Sequence, residues 1–201
     1  MRTSDFNLGP HVEYKSFKFH EKKLSISDFD HSTYDHGATE GQKYAIGELL
    51  TKYSSMVGCV RRWQIPQTME LEDRNGFFDY SVSYSISYRM QDVDCFNLII
   101  ELCIRTASRN DKHYRDEYTK QFKELRKMLE NVCQLRNVVA HAEWLESIEG
   151  HWYPRRVSHN KITTENDYVV NRLSEDDLRE AIEYIDYVNE SLNYAVYEYA
   201  I

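Results

Sequence analysis

The chain has 201 residues and a net charge of −8, with 41% hydrophobic residues, 13% aromatics, and only 7 glycines and 3 prolines. That composition can bury a core, which excludes a disordered polymer, and the length suits one domain or one domain with appendages. The negative balance argues against an open surface that grips long nucleic acid through phosphates alone. No stretch approaches the roughly 18 apolar residues of a membrane helix, so no membrane partner is expected.

Residues 1–36 are polar and irregular and read as an N-terminal extension. Val12, Tyr14, Phe17 and Phe19 alternate there as in a short strand packed on a bundle. No continuous apolar run follows Met1, so no secretory leader is expected. "DFDHSTYDHGATE" gathers Asp28, Asp30, His31, Asp35, His36 and Glu40. These side chains suit Zn²⁺ or Mn²⁺, but their spacing matches no ligand motif; a solvated loop is favoured, with no metal and no other cofactor expected. Cys59, Cys95, Cys103 and Cys133 lie in apolar helical patterns without a CxxC pair. They read as small core residues of a cytoplasmic protein.

From residue 37 to 201 the pattern is that of a helical domain. A first helix runs from about Thr39 to Gln64, with Tyr44, Leu49, Tyr53, Val57 and Val60 at three- and four-residue spacing, and Pro66 is expected to stop it. Residues 77–108 carry two periods at once. "FFDYSVSYSISYRM" alternates like a strand, yet Phe78, Val82, Ile86, Met90 and Val93 form an i, i+4 stripe. No turn signal divides the segment, which predicts one long helix. Residues 114–142 form the next helix, buried along Tyr118, Phe122, Leu125, Leu129, Val132, Leu135 and Val139.

Gly150 and Pro154 then punctuate short apolar runs, as in a small β-hairpin or ordered loop. Ser174 caps a final helix with Glu175, Asp176 and Asp177 in its first turn and Leu178, Ile182, Ile185, Val188, Leu192 and Val196 as its stripe. The expected fold is all-α: a bundle of four or more long helices with a hairpin or loop insertion before the last.

Into the third helical stripe the sequence sets "QLRNVVAHAEW", residues 134–144, where Arg136, Asn137 and His141 interrupt the apolar pattern. Metal-free cleavage of RNA through its own 2′-hydroxyl needs a group that titrates near neutrality, which imidazole supplies. It also needs a donor for the charge that builds on phosphate oxygens, and a planar guanidinium fits. A five-residue offset turns a helical side chain by about 140°, so Arg136 and His141 diverge unless the helix breaks or two copies of the chain combine. The structural alternative pairs Arg136 with an acid such as Glu101 and leaves His141 capping the helix.

"RNVVAHAEW" resembles the motif of the HEPN domains (higher eukaryotes and prokaryotes nucleotide-binding), in which an arginine, a polar residue that is commonly asparagine, and a histidine four to six residues after the arginine stand at the end of a bundle helix. The layout from about Ala38 to Ala200 resembles the family more loosely. The resemblance implies a metal-independent endoribonuclease that acts as a homodimer, with the two motifs facing each other across a cleft. It further implies a toxin of a toxin–antitoxin pair or an effector of phage defence, restrained by an antitoxin or other regulatory protein. On this basis His141 is the acid or base toward the 2′-hydroxyl, Arg136 binds the scissile phosphate and Asn137 orients the histidine or the phosphate. The alternative is a non-catalytic HEPN-like module that senses or neutralises a protein or nucleotide partner.

Two further sets are candidates beside the motif. Glu101, a charge within the apolar "LIIELCIRT", is a candidate buried partner of Arg136. Trp152, Tyr153, Arg155 and Arg156 interleave rings with cations, as a substrate-binding strip for RNA does. Those aromatics equally fit a role in pinning the insertion onto the bundle.

Overall fold

A computed structural model describes residues 14–19, 21–25, 38–72, 80–110, 115–141, 143–146, 152–155, 167–171 and 173–199. Val12, the acidic loop from Asp28 to His36, Arg156 and residues 77–79 of the expected 77–108 helix, with Phe78 of its stripe, lie outside them. The described chain is mostly helical. It runs β1 (Glu21–Ser25), α1 (Glu40–Cys59), a π-helical turn (Val60–Gln64), α2 (Ile65–Glu72), α3 (Tyr80–Arg89), α4 (Asp92–Asn110), α5 (Arg115–Ala140), β2 (Glu143–Glu146), β3 (Trp152–Arg155), β4 (Asp167–Asn171) and α6 (Glu175–Tyr199). No described helix is long and apolar enough to cross a membrane.

The chain divides into two compact units. One holds residues 1–16, 53–133 and 185–201; the other holds 17–52 and 134–184. Helices α1, α5 and α6 contribute residues to both. In the first unit the buried side chains include Val60 and Ile65, Phe96, Ile99, Ile100 and Cys103 of α4, Phe122, Leu125, Leu129 and Val132 of α5, and Val188, Leu192 and Val196 of α6. The stripes expected for α5 from Phe122 to Val139 and for α6 from Leu178 to Val196 are thus faces that these helices bury. Burial pushes the Cys103 thiol up to about 12, leaving it a neutral core group at physiological pH.

Three local features of this unit differ from the sequence pattern, and each has a long-range cause. Pro66 does not stop the first helix. The chain widens into the π turn, where the Ile65 N–H donates to the Val60 carbonyl, and Pro66 falls in the first turn of α2, where a missing N–H costs nothing. The widened turn also frees the Arg61 carbonyl, which accepts the Ser87 hydroxyl at 2.8 Å.

The long helix expected over 77–108 is broken at Met90. Arg61 Nη2 donates to the Met90 carbonyl at 2.6 Å, the acceptor a continuing helix would use. The Met90 N–H reaches only Ser87, and a new helix starts as the Cys95 N–H meets the Gln91 carbonyl. Asp92 and Asp94 then fill the first turn of α4, where the helix dipole favours acids.

The third difference is the face that α3 buries. Val82 and Ile86 were expected inside but are 42% and 40% exposed, whereas Ser83 and Ser87 are fully buried. Alpha-3 packs on α2 and the π turn, and the small serines allow that close approach. Tyr44 of α1 likewise leaves its expected stripe and is 71% exposed.

A polar network ties these pieces together. Arg61 Nη2 donates to Asp92 Oδ1 at 2.7 Å and Arg61 Nε to Cys95 Sγ at 3.3 Å. Tyr53 Oη donates to Asp92 Oδ2 at 2.7 Å and lies 3.6 Å from Cys133 Sγ. Burial first, and then the bond to Asp92, push the Tyr53 phenol well above its ordinary range, so it remains a donor.

In the second unit β1 pairs antiparallel with β4, Glu21 opposite Asn171 and Ser25 opposite Asp167. The strand thus begins just after the alternating stretch. Phe17 and Phe19 are both buried, edge to face at 5.0 Å, and Phe17 also meets Tyr184. Tyr14 is exposed, so of the described part of that stretch only the two phenylalanines mark burial. Beta-2 pairs antiparallel with β3, Glu143 opposite Arg155 and Glu146 opposite Trp152.

Both helices that begin in this unit carry reciprocal caps. At α1 the Thr39 N–H donates to Gln42 Oε1 and the Gln42 N–H to Thr39 Oγ1. At α6 the Ser174 N–H donates to Asp177 Oδ2 and the Asp177 N–H to Ser174 Oγ. Gln42 Nε2 also donates to the Leu173 carbonyl at 2.6 Å, which sets the two helix starts side by side.

A methyl group at Gly41 would collide with the Glu175 carboxylate, which holds Arg179 at 2.6 Å. Alanine improves helix propensity by about 1 kcal/mol but displaces this carboxylate. Gly41→Ala is therefore expected to leave stability within about 0.5 kcal/mol of the parent, and to stabilise by about 0.5–1 kcal/mol once Glu175→Ala has cleared the space. Urea unfolding of the four chains of that cycle measures it, and an equal effect in both backgrounds contradicts the contact.

Candidate active site

The last turn of α5 belongs to the second unit. Leu135 and Val139 are buried there, and this anchors the end of the helix. The helix closes at Ala140, and the His141 N–H makes a final bond to the Asn137 carbonyl at 3.2 Å. Two residues later β2 begins. His141 is thus the first residue beyond the regular helix, so the divergence that an unbroken helix would impose is removed within one chain.

Arg136, Asn137 and His141 are brought together. Arg136 Nη1 donates to Asn137 Oδ1 at 3.0 Å and lies 3.1 Å from His141 Nε2. Guanidinium nitrogens only donate, so in this contact the imidazole Nε2 is the acceptor. Asn137 and His141 are exposed and Arg136 is half-buried. The group lies at an exposed helix end and includes a guanidinium, a donor. Such an arrangement accepts an anion, and a phosphate diester has the matching oxygens.

Glu101 is not the buried partner it was expected to be. It is half-exposed on α4 and accepts from Arg126 Nη2 in an ion pair. Its position in an apolar run reflects the solvent-facing side of α4, which also carries Asp94, Arg105 and Arg109.

For the aromatic–cationic strip only backbone placement is described. The register sets Arg155 opposite Glu143, two residues past His141, while Trp152 is at the far end of β3 opposite Glu146. Tyr153 stands opposite Leu145, and Arg156 lies outside the described residues. Among the described residues no group of three or more His, Cys, Asp or Glu is placed to hold a metal ion; the acidic loop from Asp28 lies outside that set.

The polar network of Tyr53, Arg61 and Asp92 escaped the sequence reading. The signal available was the pair Arg61–Arg62 just before Pro66, a place where the helix was expected to end.

Comparison with protein-family models, curated proteins and solved structures finds no match to this chain.

Proposed function

We propose that the chain is a HEPN-like, metal-independent endoribonuclease that acts in the cytoplasm as a homodimer, as a toxin or phage-defence effector under the control of a regulatory protein. The observation that carries this reading is the convergence of Arg136, Asn137 and His141 at an exposed helix end, with contacts of 3.0 and 3.1 Å. Resemblance of "RNVVAHAEW" to the family motif adds the reaction class.

In the reaction the scissile phosphate takes Arg136 away from the imidazole. His141 Nε2 is then free to accept the proton of the 2′-hydroxyl. The 2′-oxygen bonds to phosphorus, the P–O5′ bond breaks, and the 5′-oxygen leaves with a proton. The guanidinium holds the charge that builds on the non-bridging oxygens, and Asn137 Oδ1 keeps that guanidinium oriented. One imidazole cannot be base and acid in the same step. A two-fold dimer supplies the second.

The products are a 2′,3′-cyclic phosphate and a 5′-hydroxyl. In EDTA the wild-type chain is expected to give these ends, and a 2′-O-methyl group at the cut nucleotide to block the reaction completely. Mass spectrometry of the fragments reads both. Cleavage that survives 2′-O-methylation, or 3′-hydroxyl ends, overturns the mechanism.

A second reading follows from one detail. With Nε2 held by Arg136 the imidazole base is occupied while the guanidinium remains a donor, which suits an anion-binding module without turnover. Binding of RNA with no cleavage in EDTA selects it.

A further inference from the structure

We infer that α4 and the first half of α5 present a basic surface on which Arg105, Lys120 and Lys123 hold the phosphate backbone of RNA. The choice of RNA among polyanions rests on the function proposed above; the surface itself rests on geometry. Two contacts set the helices antiparallel. Tyr53 Oη meets both Asp92 at the start of α4 and Cys133 of α5, and Glu101 of α4 meets Arg126 of α5. The turn of α4 after Glu101 carries Arg105, and the turn of α5 before Arg126 carries Lys123, so these two turns lie side by side. At about 100° per residue, Arg105 is rotated about 40° from Glu101 and Lys123 about 60° from Arg126. Lys120 and Lys123, three residues apart, share one helix face. All three cations are exposed.

Pairing within the chain leaves these three open. Arg126 is answered by Glu101 and Lys127 by Glu124, and Arg109 has an interaction of its own within the chain. Among the described residues no acid lies within ion-pair distance of Arg105, Lys120 or Lys123. The remaining described acid between Glu101 and Lys127 is Asp116, one turn before Lys120. Lys120 and Lys123 repel each other across their shared face, which weakens a helix slightly, and a bound anion relieves that repulsion.

The character of the surface selects the ligand. These cations gather in a chain whose net charge is −8, and between Glu101 and Lys127 no exposed described side chain is aromatic or aliphatic. A ligand here meets no ring on which to stack a base and no apolar area of the kind a protein partner buries. It meets charge, and phosphates supply the complement. Three cations do not hold a long nucleic acid by themselves. They add a salt-sensitive, sequence-independent share to the binding of a strand.

Fluorescence anisotropy of a labelled oligouridine is measured in EDTA with the full chain carrying His141→Ala, so that binding is read without turnover. Arg105→Ala, Lys120→Ala and Lys123→Ala are each expected to weaken binding about fivefold at about 0.1 M salt. Each also lowers the slope of log affinity against log salt by about 0.7, the share of one phosphate contact on a single strand. Lys123→Arg keeps the charge and retains binding. Lys18→Ala, which removes the same charge from an exposed position outside both helices, leaves affinity and slope unchanged. Circular dichroism of each variant checks the fold. The proposal is overturned if the parent binds no oligouridine, if the three alanine variants bind like the parent, or if Lys18→Ala weakens binding as much as they do. It is equally overturned if sedimentation shows Lys123→Ala separating a dimer while RNA affinity stays unchanged, since the surface would then meet an acidic face of a second copy. Cleavage by the wild-type chain, read separately, decides the nuclease reading. Binding that depends on these cations without any cleavage removes catalysis and keeps the surface; cleavage with unaltered binding in the three variants does the reverse.

Discussion

His141→Ala is expected to reduce RNA cleavage in EDTA by about 10²- to 10⁴-fold, the contribution of one positioned proton-transfer group. The substitution is at an exposed position just past α5, where the ring meets Arg136 at 3.1 Å. Folding should be little affected, so lost activity reports on chemistry. Arg136→Ala is expected to cost about 10²- to 10³-fold as a lost donor to the developing charge. Arg136→Lys should not restore it, because an ammonium cannot contact Asn137, the imidazole and a phosphate in one plane. Activity unchanged in His141→Ala, with the melting temperature also unchanged, would remove this residue from the mechanism and leave the anion-binding reading.

The largest stability effect is expected at Asp92. Its two oxygens each accept one bond at 2.7 Å, from Tyr53 and from Arg61. Tyr53 is buried, and the side chain of Arg61 is one-fifth exposed. Asp92→Ala strands a phenol and a guanidinium together, at a cost of about 2–4 kcal/mol; partial exposure keeps it below the loss of a fully buried pair. Asp92→Asn retains one acceptor and should cost about half as much, and Tyr53→Phe about 1 kcal/mol. Urea unfolding followed by circular dichroism gives the three values. If Asp92→Ala costs no more than Tyr53→Phe, the arginine arm contributes nothing.

The same residues explain where the sequence was readable. Alpha-5 and α6 bury one continuous stripe each, and their starts and stripes follow from local periodicity: Ser174 caps α6 as its pattern requires. The interruption at Met90 and the π turn do not arise locally. Each is set by Arg61, whose side chain takes the Met90 carbonyl and whose own carbonyl takes Ser87, partners 29 and 26 residues away. No window of hydrophobicity contains both ends of such a bond. Alpha-3 shows the limit of the stripe itself, since Val82 and Ile86 have the right spacing but the neighbours of α3 leave room only for serine. At the candidate site the three residue types were legible and their distances were not. Whether Arg136 and His141 meet depends on the single residue at which α5 ends.

The pairing of β1 with β4 bears on how the chain is made. Residues 21–25 leave the ribosome well before their partners, residues 167–171. A strand formed so soon must wait for the whole intervening stretch before its edge is covered, and such distant pairing is slow to close. Arg136, Asn137 and His141 emerge well before β4 does. The growing chain therefore carries its motif for a time without the strand that completes the surrounding unit, and a stalled or truncated product ending before residue 167 would carry it permanently in that state.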